Sequence, residues 1–357
     1  MRFAGYDHAQ MSQYHLSRRN FLRGSSAIAI GSLMGELLRA AEPAAPPAYP
    51  DQFQIDNGLV VLPSKGRLYI ASDFHTRHAD FQKWLTKTSI VQRLKNEPDT
   101  YGLILGDVLD VKPGDPHAEK GGDMKILDRI REIQTSLGKD GRRFIFILGN
   151  HESEVARIYG ILKTHFALNA ANRQRLIAAL YNCQDGLFYQ QFNAMERIND
   201  EQVAYLRTLP VGVLCKNGLI CTHAGPAKSA KSPKDLATKL EPVVEDLVWS
   251  RPAEIAEIPG KGYSPDQLSD FLKMMEFSGL LVTGHTPLGS LPPTWLKNNV
   301  GVYGDKQLIL ATSYGSEPCN KSYLIMDLAK RYDAVADVAP GKELQVLEEK
   351  PAAKAAA

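Results

Sequence analysis

The chain has 357 residues, of which 44% are hydrophobic and 23% are charged. Its 42 lysines and arginines nearly balance its 40 aspartates and glutamates, which excludes an acidic disordered chain and a strongly basic nucleic-acid-binding protein. The length suffices for a sizeable hydrophobic core, in one large α/β domain or in two smaller domains. The composition therefore predicts a folded protein without a nucleic-acid partner.

Positive charge is concentrated at the N-terminus, where residues 1–41 are predicted to be an export signal. Residues 17–23, Ser-Arg-Arg-Asn-Phe-Leu-Arg, precede a mildly apolar stretch at residues 27–35 and then a segment rich in Ala and Pro. This pattern resembles a twin-arginine signal peptide. The resemblance implies export of the folded protein by the Tat machinery to the periplasm or the exterior, with cleavage between about Ala40 and Ala45.

A short basic amphipathic helix of the folded protein is the alternative interpretation of this N-terminal segment. A stable membrane span is not expected, because the apolar stretch is far shorter than ~20 residues and is interrupted by Glu36. Residues 42–65 are predicted to form an extended linker before a domain at residues 66–330. Residues 339–357 are predicted to be a low-complexity, disordered tail.

Five short apolar runs predict buried strands, and each run ends in polar residues. The runs are residues 67–72, 101–105, 144–148, 219–222 and 280–283. Near-continuous apolar runs of this length are typical of strands buried on both faces. Helical periodicity is found at residues 79–95, 123–137, 153–169 and 199–208. Strands that alternate with helices predict α/β layers, with the loops after the strands gathered at one edge.

The remaining segments predict two further features of the fold. Residues 307–312 and 322–327 are expected to form an antiparallel pair that extends a second sheet. Residues 112–140 and 226–278 are expected to be insertions that overhang the strand ends. Cys215 and Cys221 flank an Asn-Gly hairpin signal, which places them on paired strands as buried free thiols.

The residues at the strand ends form the candidate site, namely Asp73, His75, Asp107, Asn150, His151, His223 and His285. Their oxygen and imidazole donors suit divalent first-row metals. Asp73 and His75 are expected on one side of an extended segment, because residues i and i+2 point the same way. Taken alone, Asp107 could instead cap a helix, and His223 or His285 could be a hydrogen-bonded loop histidine.

The order of the motifs resembles the calcineurin-like metallophosphoesterase superfamily. Asp-x-His, Gly-Asp-x-x-Asp, Gly-Asn-His-Glu, His-Ala-Gly and Gly-His-Thr follow one another between residues 73 and 287. Together with Val-Trp-Ser-Arg-Pro at 248–252, they are most similar to the branch of phosphoprotein phosphatases and bacterial diadenosine tetraphosphatases. The resemblance covers residues 66–328. It implies an α/β, metallophosphatase-type two-sheet β-sandwich flanked by helices, with helical or loop insertions over the active site.

The resemblance also implies two divalent metal ions, of Mn, Fe, Zn or Co, bridged by Asp107 and a solvent hydroxide that attacks phosphorus directly. Such a pair activates water and offsets the charge that develops on phosphate. Asp73 and His75 would complete the first metal site. The implied ligands of the second metal are Asn150, His223 and His285. His151 is then left to protonate the leaving group.

Asp110 would orient the other ring nitrogen of His151 and stabilise the imidazolium. Glu152 either supports this network or acts as a helix-start carboxylate. Residues 111–112 are Val-Lys, where phosphoprotein phosphatases usually have Arg-Gly, and that arginine holds the substrate phosphate. Arg251 and Arg77 are the candidate replacements, although either could be an ordinary surface arginine.

The sequence thus predicts an exported dinuclear phosphoesterase that hydrolyses phosphate monoesters, with a phosphorylated small molecule or a phosphoprotein as substrate. One alternative is a nucleotide or dinucleoside polyphosphate pyrophosphohydrolase. Another is a non-catalytic metal-binding protein of the same fold.

Overall fold

The structure is a computed structural model that describes residues 51–165, 193–275 and 279–349. The export signal predicted for residues 1–41 therefore lies outside the described residues, as do residues 350–357 of the predicted tail. Among the described residues, no helix combines the length and the apolar character needed to cross a membrane.

The helices of the described residues fall where helical periodicity predicts them and in three further segments. They are α1 (His78–Thr88), α2 (Ile90–Asn96), α3 (Gly122–Ser136), α4 (Asn150–His165), α5 (Asp200–Thr208), α6 (Pro233–Ala237), α7 (Glu241–Trp249) and α8 (Pro265–Met274). The periodicity at residues 79–95, 123–137 and 199–208 is confirmed by α1 with α2, by α3 and by α5.

The strands include all five of the predicted apolar runs. They are β1 (Gln54–Asp56), β2 (Leu59–Leu62), β3 (Arg67–Ala71), β4 (Thr100–Ile104), β5 (Phe144–Phe146), β6 (Gly212–Cys215), β7 (Leu219–Thr222), β8 (Arg251–Pro252), β9 (Gly262–Tyr263), β10 (Leu280–Thr283), β11 (Leu296–Lys297), β12 (Val300–Tyr303), β13 (Gln307–Ile309), β14 (Lys321–Asp327) and β15 (Leu344–Glu348). The predicted α/β character is therefore confirmed.

Two mixed sheets contain nearly all of these strands. The five-stranded sheet has the order β15-β14-β3-β4-β5, and β3, β4 and β5 run parallel. The eight-stranded sheet has the order β1-β2-β6-β7-β10-β13-β12-β11, and β7, β10 and β13 run parallel. Strands β8 and β9 form a separate pair.

The main core lies between the two sheets. Leu68 and Ile70 of β3 are fully buried in this core together with Val213 and Val282 from the other sheet. Tyr69 and Ala71, the alternate residues of β3, are buried in a second core instead. Successive side chains of β3 therefore point to opposite faces of its sheet. One face packs against the other sheet, so the fold is the predicted two-sheet β-sandwich.

Helices cover the outer faces of both sheets. Ile126 and Ile130 of α3 are buried with α1, α5 and the outer face of the five-stranded sheet. Val243 of α7 and Leu268 of α8 are buried against the eight-stranded sheet. The expectation that residues 112–140 overhang the strand ends is therefore wrong for α3.

The same correction applies to α6, α7 and α8 in the predicted insertion at residues 226–278. Each of these helices has an apolar face that gains more from burial against the sheet than from projecting over the strand ends.

The predicted linker and tail also contribute strands. β1 and β2 lie within residues 42–65, and all four residues of β2 are buried as it pairs with β6. β15 lies within residues 339–357 and pairs with β14. The linker prediction is therefore wrong for β1 and β2, and the tail prediction is wrong for β15. Both predictions rested on the local content of Pro, Gly and charged residues, which does not reveal short runs whose apolar side chains are buried.

Residues 307–312 and 322–327 do not form the predicted antiparallel pair. β13 lies between β10 and β12 in the eight-stranded sheet, whereas β14 pairs with β3 in the other sheet. The Asn-Gly hairpin is confirmed, since β6 and β7 are antiparallel with Val213 opposite Cys221. Cys215 and Cys221 are buried free thiols, as predicted.

Candidate metal centre

The strand-end residues meet in tight loops rather than in extended segments. Four of them, Asp73, His75, Asp107 and His285, have a left-handed backbone with positive φ, as does the neighbouring Asp110. The extended conformation expected for Asp73 and His75 is therefore wrong, because φ is 50° and 46° at these two positions. Left-handed backbone is unfavourable for residues other than glycine, and clusters of such residues are typical of functional sites.

Asp107 lies at the middle of the site, with its two carboxylate oxygens turned to different histidines. Oδ2 is 3.6 Å from Nε2 of His75, and Oδ1 is 3.4 Å from Nε2 of His223. All three side chains are buried. A carboxylate placed in this way can bind two cations at once.

The tautomers of the two histidines are set by backbone carbonyl groups. His75 Nδ1 lies 2.8 Å from the carbonyl oxygen of Leu109, and His223 Nδ1 lies 2.5 Å from that of Leu105. A carbonyl oxygen only accepts, so each Nδ1 carries the hydrogen and donates it. In the neutral ring, Nε2 then presents a lone pair to Asp107, which is the usual arrangement of a metal-binding histidine.

Asn150, the first residue of α4, brings a further oxygen to the same place. Its Oδ1 lies 3.0 Å from His223 Nε2 and 3.0 Å from His285 Nδ1. Lone pairs from His223, Asp107 and Asn150 therefore converge on one space without a hydrogen between them. A divalent cation satisfies this arrangement, and this donor set fits the metal that the sequence predicts.

Burial changes the ionisation of these groups in opposite directions. Loss of solvation raises the pKa of Asp107 to about 6 and that of Asp73 well above its usual value. The same loss lowers the pKa of His223 to about 4 and the pKa values of His75 and His285 well below the ordinary range. The imidazoles are thus neutral, as metal binding requires, and the buried carboxylates need positive charge nearby.

Two groups of possible ligands share Asp107. His75, Asp107 and His151 form one group, and Asp107, His223 and His285 form the other; in each group, the donor atoms lie within 4.8 Å of one another. Asp73 is in neither group, and both its carboxylate oxygens accept from the backbone N–H of His285, at 3.1 and 3.2 Å. The predicted ligands therefore lie close together. Asp73 is joined to the other ligands by its hydrogen bonds with the backbone N–H of His285.

His151, the second residue of α4, lies between a carboxylate and an ammonium group. Its Nδ1 is 2.7 Å from Asp110 Oδ2, and its Nε2 is 2.6 Å from Lys112 Nζ. Because an ammonium only donates, Nε2 accepts from Lys112, and Nδ1 donates to Asp110. The predicted contact between His151 and Asp110 is thus present, and the other oxygen of Asp110 accepts from the backbone N–H of Ala194.

Lys112 is the site residue that the sequence prediction missed. Its Nζ lies 5.6 Å from the centre of the Tyr314 ring, and its charge lowers the pKa values of Asp73 and Asp107. The sequence indicates only that an Arg-Gly pair is missing after Asp110. The available signal was that Lys112 is the first basic residue after this motif, and a lysine stem is long enough to place its charge in the site.

Glu152 joins two of the strand-end loops through backbone hydrogen bonds. Its Oε2 accepts from the N–H groups of Asp107 and Gly149, at 2.9 and 3.1 Å. Its Oε1 accepts from those of Val108 and Leu109, at 3.0 and 3.1 Å. Of the two roles considered for Glu152, the structure therefore shows the supporting network.

The two candidate arginines differ in their surroundings. The Arg77 guanidinium donates to both oxygens of Asp115, each at 2.8 Å, and also to the carbonyl oxygen of Ser313. These contacts use three of the five N–H donors of the guanidinium, so Arg77 as a phosphate ligand stays a prediction.

The charge of Arg251 acts on the cluster, since it lowers the pKa values of Asp107 and His285, as the charge of Arg77 lowers that of His75. Among the described residues, its buried Nε has no hydrogen-bond partner, and Nη1 is 3.5 Å from Glu257. Arg251 therefore keeps a donor that a phosphate oxygen can satisfy.

Comparison with protein families identifies the class to which this fold and site belong. The model of the family described as calcineurin-like phosphoesterase matches residues 66–289. The chain belongs to this family, which confirms the resemblance read from the motif order. The family supports a phosphoesterase hydrolase with metal ligands at the site.

Solved structures with a similar fold share little sequence with the chain. A candidate diadenosine tetraphosphatase has 14% identity and a TM-score of 0.46, with 83% of this chain and 100% of that chain covered. A protein serine/threonine phosphatase from Saccharomyces cerevisiae, similar to human phosphatase PP5, has 14% identity and a TM-score of 0.47, with 82% of each chain covered.

A cold-active protein-tyrosine phosphatase of a Shewanella species has 14% identity and a TM-score of 0.42, with 77% of this chain and 79% of that chain covered. A comparison with curated proteins gave no match.

Proposed function

We propose that this protein is a dinuclear metal-dependent phosphatase that hydrolyses phosphate monoesters. The observation that carries the proposal is the position of Asp107 between His75 and His223, whose Nε2 lone pairs face its two oxygens. One metal would be held on the His75 side and the other among Asp107, Asn150, His223 and His285. When bound, two such cations activate a water molecule and neutralise charge on the phosphate.

The surrounding residues would bind the phosphate and control the leaving-group proton. Lys112 and Arg251 place two positive charges beside the cluster, which favours a dianionic monoester over a monoanionic diester. His151 lies beside Lys112 through Nε2 and is oriented by Asp110 through Nδ1. Lys112 can donate to a phosphoryl oxygen, and the proton that it shares with His151 Nε2 can pass to the departing alkoxide.

The experiment is a rate comparison on purified chain loaded with Mn²⁺ and on the same protein treated with chelator. p-Nitrophenyl phosphate, bis(p-nitrophenyl) phosphate, a phosphopeptide and a dinucleoside tetraphosphate are compared in one buffer. The proposal expects chelator-sensitive turnover with the monoesters preferred. Preference for the dinucleoside tetraphosphate would support the pyrophosphohydrolase alternative, and metal binding without any turnover would support the non-catalytic one.

We also propose that the protein is exported by the twin-arginine pathway to the periplasm. The support is the Ser-Arg-Arg-Asn-Phe-Leu-Arg sequence at residues 17–23. Replacing both Arg18 and Arg19 by lysine is expected to retain the protein in the cytoplasm, which cell fractionation would measure. Unchanged export of that variant would contradict the proposal.

A further inference from the structure

A surface pocket of about 240 Å³ lies among the helices α4, α5 and α7. Leu148, Leu206 and Leu209 provide apolar lining. None of the residues lining it belongs to the candidate metal centre. Its volume is smaller than that of typical drug-sized ligand sites, so it suits a small molecule.

Three basic side chains, those of Arg157, Arg207 and Lys239, line the same pocket. Nε of Arg157 donates to Glu154 at 3.0 Å, so this charge is balanced. The hydrogen bonds of Arg207 and Lys239 go to the backbone carbonyl oxygens of Ala156 and Arg207, each at 3.3 Å. Among the described residues, neither has a carboxylate at ion-pair distance. The pocket therefore holds two positive charges that no carboxylate of the described residues balances.

Two observations describe the surroundings of these charges. The Arg207 guanidinium lies against Gly160 of α4, where a Cβ would be 2.6 Å from Nη2, the flexible end of that side chain. A glycine inside a helix costs about 0.5–1 kcal/mol relative to alanine. Burial also lowers the pKa of Lys239, which is the effect of partial desolvation on an unpaired ammonium.

The guanidinium of Arg207 and the ammonium of Lys239 attract negative charge. The charge of the described lining therefore favours an anionic molecule as the occupant.

We propose that this pocket binds a small amphiphilic anion, with its oxyanion head at Arg207 and Lys239 and a short hydrocarbon body against the three leucines. The guanidinium and ammonium groups donate charge-assisted hydrogen bonds to the head group. The leucines gain from removal of the hydrocarbon from water. A neutral alcohol lacks the charge-assisted hydrogen bonds, and a short carboxylate such as acetate lacks the hydrocarbon body.

The test uses hexanoate as the probe and calorimetry on the full chain loaded with Mn²⁺. Saturating inorganic phosphate is present to occupy the metal centre. Hexanoate is expected to bind, whereas 1-hexanol and acetate are expected to bind at least about tenfold more weakly. Binding does not depend on turnover, so this result is separate from the outcome for the proposed phosphatase activity.

Variants then locate the binding site. Arg207→Gln combined with Lys239→Gln is expected to weaken hexanoate binding at least about tenfold. Lys273→Gln on the exposed side of α8 is the matched control and should bind as the wild type does. Circular dichroism confirms folding of each variant.

The proposal is overturned if hexanoate shows no binding at about 10 mM either with or without phosphate. It is also overturned if the alcohol binds equally well, or if the Arg207/Lys239 variant retains full affinity.

Discussion

The orientation of single imidazole rings determines what this site can bind. In His75 and His223 the backbone accepts the Nδ1 hydrogen, so the lone pair on Nε2 is directed at Asp107. The residue types at these positions could be predicted from the motif order. The tautomers could not, because they depend on the carbonyl groups of Leu105 and Leu109, which approach only when the strands pack.

Asp107→Asn tests the carboxylate that both groups of ligands share. The amide keeps the size of the side chain but removes the negative charge and one oxygen. Metal affinity is expected to fall at least about 100-fold, and phosphatase activity to fall with it. Metal analysis after dialysis measures the first effect. Asp266→Asn, at an exposed position of α8, is the control and should retain both metals.

Lys112→Met tests the residue that the sequence prediction overlooked. The variant removes the ammonium group and keeps an unbranched apolar chain. KM for a phosphate monoester is expected to rise about 10- to 100-fold at unchanged metal content, because a charged hydrogen bond to phosphate is lost. Lys273→Met serves as the control. An unchanged KM together with unchanged inhibition by inorganic phosphate would exclude a role in phosphate binding.

At the scale of elements, the start of α4 determines the geometry of the site. The helix presents Asn150, His151 and Glu152 in successive positions, and Glu152 ties the loop after β4 to the loop after β5. The sequence predicts the strands and the helix but not this link. The link depends on how far apart the ends of β4 and β5 lie, which is a property of the packed sheet.

Glu152→Gln should loosen this link. The glutamine oxygen can accept from only one pair of N–H groups. The NH₂ group of the glutamine then faces the other pair, and two donors placed together form no hydrogen bond. The free energy of unfolding is expected to fall by about 1–3 kcal/mol, which urea denaturation measures. Metal affinity should fall in parallel. A variant with wild-type stability and metal affinity would show that the four hydrogen bonds do not hold the loops.

Strand β15 is attached to its neighbours by charge. Glu348 is 2.8 Å from Lys83 of α1 and 2.7 Å from Lys321 of β14. The hydrogen bonds from Lys321 and Lys83 lower the pKa of Glu348 from 4.5 to about 2. A depressed carboxyl pKa contributes stability above the unfolded value, and this contribution is lost as the pH falls toward the folded value.

Glu348→Gln is therefore expected to reduce the free energy of unfolding by less than about 1 kcal/mol at neutral pH, because the carboxylate is partly exposed. The difference from the wild type should shrink as the pH falls from about 4.5 toward 2. Urea denaturation of both proteins at a series of pH values measures this difference in the free energy of unfolding. A difference that does not change over this range would show that these ion pairs do not stabilise β15.

At the scale of the whole molecule, both sheets contribute to one site. β3, β4 and β5 of one sheet and β7 and β10 of the other end at the same edge, where their loops carry the candidate ligands. The five apolar runs and their polar ends predict this convergence. The sequence did not predict β1, β2 or β15, because such short strands are stabilised by pairing with neighbours distant in the chain.

We propose that this edge of the sandwich holds two metals that the phosphatase reaction requires. The test is to remove metal with a chelator and to titrate Mn²⁺ back while bound metal and p-nitrophenyl phosphate turnover are measured together. We expect negligible activity without metal and full recovery as about two ions bind per chain. Full activity in the metal-free protein, or recovery complete at a single bound ion, would contradict it.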